Sequence, residues 1–381
     1  MSVPRNEHEA IDVEESQLDV AASMGGDFGD SIVPARTILL ADMLDDFFTK
    51  LEAGEPPVRW PVGEGWGTLA FRPHTIMVIG GPPNVGKTPL LLNLLWQAMQ
   101  ITPSLRVLVA NNESMVPELV ETLTARLAEI NLSDVQARNC DLCTSGKLAE
   151  ARSALRGVAD RIEFMEMPFT LEQVIERAMD FRADVVCIDT LQKLSLEGYD
   201  GEMGDRLGRI MPMLRDLASR GPCVVAAAQI SREGVRHFQG RVGRATYDER
   251  DMAVFAYSVQ IESSANDCFY LAYETGARVH QGLDQAYEPI PMWLHHMKGR
   301  NTLKANIPLL FDGRYQKFML RPVHEPAAGQ RGAGGRRSTG DIGRTDGTSG
   351  TSKAAWAKPR TSREELQDIE GEADGDHEWL T

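Results

Sequence analysis

The run Val78-Ile-Gly-Gly-Pro-Pro-Asn-Val-Gly-Lys-Thr88 leaves the chain few choices of fold. Within it, Gly81-x-x-x-x-Gly86-Lys87-Thr88 has the spacing of a loop that cradles phosphate groups. Pro82, Pro83, Asn84 and Val85 fill the turn between the two glycines. Such a turn aims backbone N–H groups inward around a β-phosphate, Lys87 sets a cation on the β/γ oxygens, and the Thr88 hydroxyl ligates Mg²⁺. The flanks suit that reading. Thr75–Ile79 is a short apolar run, as a buried strand requires, and Leu90-Leu-Leu-Asn-Leu-Leu-Trp96 reads as the following helix, its N-terminus facing the phosphates. Pro89 is tolerable there because N–H groups of a first helical turn need no intrahelical partner.

Strand and helix alternate from Thr75 to Gln229. Strands are expected at 75–79, 106–110, 161–165, 184–188 and 223–228, and helices at 87–100, 116–130, 147–157, 171–182 and 203–219. This predicts an α/β fold with a mainly parallel sheet and helices on both faces. Beyond about residue 258 the runs 258–262, 268–273, 292–297, 305–311 and 317–320 read as strands of a C-terminal antiparallel extension. Residues 38–52 predict an amphipathic helix with Leu40, Met43, Leu44, Phe47, Phe48 and Leu51 on one face. A Pro- and Gly-rich connector follows to Gly67, so 37–67 is a linker and 68–325 the expected catalytic domain.

The net charge of −15 argues against a simple basic nucleic-acid binder. Its distribution softens that argument. Residues 1–36 carry eight acids and two bases, and residues 363–381 eight acids and one base. Both ends read as disordered tails, the C-terminal one (326–381) basic and Gly/Ser-rich before it turns acidic. No run of about 18 apolar residues is present, which predicts no membrane span. The acidic start lacks a hydrophobic signal core. Cys187 and Cys223 lie in apolar runs and Cys140-x-x-Cys143 lacks a second ligand pair, so free thiols in a reducing cytoplasm are expected.

Three further strand ends carry polar groups. Asp184-Val-Val-Cys-Ile-Asp189 places a carboxylate beside the phosphate loop, suited to the Mg²⁺ hydration shell. Arg106–Asn111 leads to Glu113, which can orient and activate a water. Cys223–Gln229 ends in an amide able to sense a γ-phosphate. Singly, Glu113 reads equally as a solvated charge and Gln229 as an unremarked amide.

Taken in order, Gly81–Thr88, Asn112-Glu113, Asp189-Thr-Leu-Gln192, Gln229-Ile-Ser-Arg232 and Lys298-Gly-Arg300-Asn301 resemble the ATPase domain of the DnaB-type replicative helicases, within the RecA-like P-loop NTPases. The resemblance covers roughly residues 38–322. It departs at Ser114 and Thr190, where that family carries Met and Tyr, and only about 36 residues precede the amphipathic helix. The resemblance therefore implies a compact, phage- or plasmid-style form without the family's N-terminal helical domain. It implies ATP and Mg²⁺ as cofactors, Glu113 as catalytic base, Asp189 as metal partner and Gln229 as sensor. Lys298 and Arg300 would be fingers reaching a neighbour's γ-phosphate in a ring homo-oligomer, a hexamer. From the residues alone they read as a solvated edge strand. Single-stranded DNA would be held by the glycine-rich loop with Arg232, Arg236, Arg241 and Arg244, itself otherwise a solvated loop. The tails would serve replication partners. The alternatives are a RecA-like recombinase or plasmid-replication ATPase that does not unwind, and a nucleotide-gated loader or scaffold.

Overall fold

A computed structural model describes residues 38–67, 69–139, 146–230, 258–274, 288–300 and 302–322. The two expected tails, Cys140 and Cys143, and the loop with Arg232, Arg236, Arg241 and Arg244 lie outside them. The strands are β1 (Trp60–Pro61), β2 (Ala70–Phe71), β3 (Ile76–Gly81), β4 (Val107–Asn111), β5 (Ile162–Met165), β6 (Val185–Asp189), β7 (Cys223–Gln229), β8 (Asp267–Tyr273), β9 (Ile290–Gly299), β10 (Ile307–Asp312) and β11 (Lys317–Leu320). The helices are α1 (Leu40–Glu52), α2 (Lys87–Ile101), α3 (Val116–Ala128), α4 (Leu132–Gln136), α5 (Gly146–Arg156), α6 (Leu171–Asp180), α7 (Met203–Ser219) and α8 (Ser258–Ser264).

Among the described residues nine strands form one sheet in the order β11-β10-β9-β8-β3-β7-β6-β4-β5. From β8 to β5 every pairing is parallel, and β9, β10 and β11 add on antiparallel. Strands buried on both faces read as continuous apolar runs, which is why Ile76–Ile79 and Val185–Ile188 show no polar alternation. Successive β3 residues serve opposite faces. Met77 and Ile79 pack with Leu90, Leu94 and Leu95 of α2. Ile76 and Val78 pack with Ile210, Leu214 and Leu217 of α7. The α6 helix starts at a reciprocal cap, in which Gln173 N donates to Thr170 Oγ1 at 3.5 Å and Thr170 N donates to Gln173 Oε1 at 3.0 Å.

Two expectations need correction. Residues 258–262 are not a strand but the start of α8. The alternation Ser-Val-Gln-Ile-Glu mimics a half-exposed strand, yet Ile261 and Ala265, four residues apart, share one helical face and join the α7 side of the core. The antiparallel extension also starts one strand later than expected, because β8 pairs parallel with β3. Inside the connector, Trp60 pairs with Phe71 in a two-stranded ribbon that the sequence does not announce. The helix α1 has no buried residue, and its apolar face is open to solvent along its whole length.

The end of the sheet at the start of β8 is fixed by one buried carboxylate. Asp267 pairs with Arg72, accepts from Thr302 Oγ1 at 2.8 Å and lies 3.3 Å from His296 Nε2. Burial would raise its pKa, but the neighbouring His296, the hydrogen bond from Thr302 and the charge of Arg72 outweigh that and lower it. Removing one partner of a buried pair strands the other. Asp267→Asn is therefore expected to lose about 3 kcal/mol of stability in urea unfolding at pH 7. A loss under about 1 kcal/mol would mean that Arg72 finds water instead.

Candidate functional site

The parallel register brings four strand ends together. Gly81 of β3 pairs with Gln229 of β7, and Asp189 of β6 pairs with Asn111 of β4. In an open parallel sheet the carboxyl ends of the strands are where ligands bind. The loop 81–88 leaves β3 there and enters α2 at Lys87. Gly81 is required by close approach, since a Cβ would lie 2.8 Å from Val85 Cγ1 and 3.0 Å from the Leu271 carbonyl. Gly86 is required by its φ of 93°, a left-handed conformation that L side chains rarely adopt. Asn84, at the loop tip, also has a positive φ of 59°, and its carbonyl accepts from Tyr273 Oη at 3.3 Å.

Lys87 Nζ donates to the carbonyls of Pro82 at 2.9 Å and Gly81 at 3.2 Å. Burial lowers its pKa, against the opposing charges of Asp189 and Glu113. Thr88 Oγ1 donates to Asp189 Oδ2 and keeps its lone pairs for a cation. Asp189 is 2% exposed, and burial pushes its carboxyl up to about 6, against the Thr88 hydrogen bond. Among the described residues its Oδ1, which is buried, has no hydrogen-bond partner. An unpartnered carboxylate oxygen beside a free hydroxyl lone pair is the donor set that a hard cation takes. With the glycine cradle and Lys87, these residues fit a nucleotide phosphate held with Mg²⁺.

Glu113 follows β4 and meets Lys193 Nζ at 3.0 Å and Gln229 Nε2 at 3.4 Å, both on Oε1. The structure thus gathers Lys87, Thr88, Asp189, Glu113 and Gln229 at one end of the sheet. Sequence reasoning gave no role to Asn111, Asn112, Thr190 and Gln192, though they lie in runs it singled out, and missed Lys193; the structure places all five around the site. Asn112 exchanges two hydrogen bonds with the Thr190 backbone, at 2.8 and 3.1 Å. Gln192 does the same with the Gln229 backbone, at 3.0 and 3.1 Å. Each carboxamide imitates a peptide group and carries the ladder past the end of its strands. The sequence signal was weak: amides directly after apolar runs.

Lys298 and Arg300 are not brought to this site. Lys298 pairs with Cys268 in β9, and Arg300 N donates to the Asn266 carbonyl while Asn266 N donates to that of Ile76. Arg300 therefore sits where β3 begins, with its five-residue advance to Gly81, roughly 16 Å, still to run, while Lys298 lies level with Val78, three residues or roughly 10 Å short of Gly81. The Arg300 guanidinium donates to the Ser263 carbonyl at 2.8 Å and is exposed.

Known proteins share this fold. Residues 67–320 match the family described as the DnaB-like helicase C terminal domain. The solved structure of a separate ATPase domain superposes with a TM-score of 0.61 at 16% identity, covering 75% of this chain and 100% of that one. A DnaB-like replicative helicase, solved in a study of its interactions with primase, superposes with a TM-score of 0.58 at 17% identity, over 79% of this chain and 70% of that one. At such identities the likeness is one of fold. A search of curated proteins finds no match.

The raised pKa of Asp189 has a consequence for stability. A carboxyl whose folded-state pKa is raised binds its proton more tightly when folded, so ionising it costs stability as pH rises from about 4 through about 6. The full cost, on the order of 2–3 kcal/mol, applies above that window. Asp189→Asn is expected to unfold at higher denaturant than the wild type at pH 7.5 without Mg²⁺, the gain shrinking towards pH 4. A pH-independent difference between the two proteins would show that Asp189 is not the group responsible.

Proposed function

The chain belongs to the DnaB-like helicase C-terminal domain family and has the RecA-like α/β fold, and from that premise we propose that it hydrolyses ATP with Mg²⁺ to move along single-stranded DNA. The observation that carries this reading is the convergence of Lys87, Thr88, Asp189 and Glu113 on one strand-end crevice. Lys87 holds the β/γ oxygens, and Thr88 and Asp189 hold Mg²⁺, which supplies charge neutralisation on the phosphates when bound. Glu113 takes the proton of the attacking water. Gln229, hydrogen-bonded to Glu113, senses the γ-phosphate and leads into the loop with Arg232, Arg236, Arg241 and Arg244, which tracks the DNA backbone.

Lys298 and Arg300 act in trans on this reading. The place of Arg300 at the far end of β3 supports it, because no small shift brings that residue to its own chain's phosphates. A ring, proposed as a hexamer, supplies them from a neighbouring subunit. The exposed apolar face of α1 supports self-association, since a stripe with Met43, Phe47 and Leu51 in water favours burial against a partner. Among the described residues no helix is long and apolar enough to cross a membrane.

The test is strand displacement on forked DNA with ATP, run beside ATPase with and without single-stranded DNA. Displacement with stimulation supports a helicase. Stimulation alone favours a translocase or recombinase. Neither favours a loader or scaffold. Lys87→Ala is expected to abolish turnover, and Glu113→Gln to keep ATP binding while slowing hydrolysis by about 100-fold or more. Wild-type turnover in Lys87→Ala would overturn the reading.

The trans arrangement has its own test. Arg300→Ala subunits keep a working phosphate loop and Lys87→Ala subunits keep a working finger, so mixed rings are expected to regain part of the DNA-stimulated ATPase that each variant alone lacks. No activity at any ratio, with subunit exchange verified by a labelled protomer, would place the finger in its own chain.

A further inference from the structure

We propose that Asn111 is a positioning residue whose one carboxamide fixes the metal-side carboxylate of Asp189 and the backbone that carries Glu113 relative to each other. The proposal rests on the roles given above to Asp189 and Glu113.

Asn111 is the last residue of β4 and is 3% exposed. Its Oδ1 accepts from Glu113 N at 2.9 Å and from Ser114 N at 2.7 Å. Its Nδ2 donates to Asp189 Oδ2 at 3.1 Å. A side chain that only shaped the turn before α3 would need the first two contacts alone, because an Asx turn uses the carboxamide oxygen. The third contact crosses to another strand and ends on the charged group of the site.

The oxygen it chooses is informative. Thr88 Oγ1 and Asn111 Nδ2 both donate to Oδ2, so Oδ1 is left as the buried oxygen without a partner. Two donors on one oxygen set the carboxylate's rotation about its own axis and leave the other oxygen as the one available to a cation. Asn111 is rigid in this role. Its backbone lies in register with Asp189 in the β4–β6 ladder, and the Asp189 carbonyl accepts from Asn112 N at 2.8 Å. The next residue repeats the link, since Asn112 brackets the Thr190 backbone with both ends of its amide. The carboxylate that holds the metal and the turn that holds the base are thereby tied through one buried planar group rather than through two independent loops.

Partners that orient a metal-binding carboxylate typically carry about a tenfold share of metal affinity or activity. The experiment uses the full chain and a fluorescent ATP analogue, with binding measured in Mg²⁺ and in EDTA and kcat for ATP measured alongside. Asn111→Ala is expected to bind the analogue in EDTA like the wild type. The tightening that Mg²⁺ brings should shrink about tenfold, and kcat should fall by a similar factor. A merely structural role predicts parallel losses in EDTA and in Mg²⁺ together with a lower melting temperature, and that result would overturn the proposal. Asn111→Ser is the second variant. Its hydroxyl can still accept from the Glu113 and Ser114 N–H groups but is too short to reach Asp189, so part of kcat should return while the Mg²⁺ deficit stays. Wild-type Mg²⁺ dependence in Asn111→Ser would also overturn the proposal. Asp189→Asn, run beside them, separates two kinds of failure. If Asp189→Asn keeps the Mg²⁺ dependence, the metal role of Asp189 falls and takes that of Asn111 with it. If Asp189→Asn loses the dependence and Asn111→Ala does not, Asn111 alone falls.

Discussion

Burying Asp189 at a strand end is unfavourable taken alone, because a carboxylate loses its hydration there and gains no opposite charge in direct contact. Its surroundings answer that cost only in part. Thr88 and Asn111 satisfy one oxygen and leave the other bare, and the carboxyl rises to about 6 as a result. A chain selected for stability alone would fill this place with an apolar residue or a neutral amide. On the proposed reading a cation completes the site at the bare oxygen. The loop beside it has little freedom of its own, since Gly81 is held by close approach and Gly86 by its left-handed backbone.

The fold was legible because its strands are parallel and doubly buried. Such strands announce themselves as short apolar runs, and Ile76–Ile79, Val107–Ala110, Val185–Ile188 and Cys223–Ala228 all did, with helices between them. The polar residue that ends each run was legible for the same reason, since polarity at the close of a buried strand needs an explanation. What was not legible depends on register. Nothing in the chain says that Asn112 will lie beside Thr190 or Gln192 beside Gln229, residues 78 and 37 positions apart. The misreading of 258–262 has a different origin. The five residues Ser-Val-Gln-Ile-Glu alternate as a half-exposed strand does and are too few for a helical period to stand out.

Lys298 and Arg300 separate sequence pattern from geometry. Their spacing matches a helicase block, but the pattern does not say in which direction they point. The strand register does, for β8 runs parallel to β3, and β9 returns antiparallel to the end where β3 begins. On the proposed reading, a guanidinium held at the opposite end of the sheet, as that of Arg300 is, cannot serve its own chain's phosphates. It becomes useful once a second copy lies across that end. The Arg72–Asp267–Thr302 cluster stiffens the segment around Arg300, which suits a group that must meet a partner in a fixed place.

The amide rungs bear on how the proposed sensor could act. Gln229 contacts Glu113 directly through its side chain at 3.4 Å. Its backbone is held by Gln192, the Gln192 carbonyl accepts from Arg206 of α7 at 3.0 Å, and the Thr190 hydroxyl donates to the Ala227 carbonyl at 3.0 Å. A shift of Gln229 therefore cannot be absorbed by its own side chain. It moves the turn Leu191–Lys193, and with it Lys193, whose ammonium shares Glu113 Oε1. Leu191 and Leu194 anchor that turn in the core, so it moves as a body or not at all. Rigid links of this kind favour two discrete arrangements over a graded one. A motor that must commit its phosphate site and its DNA loop together needs that behaviour.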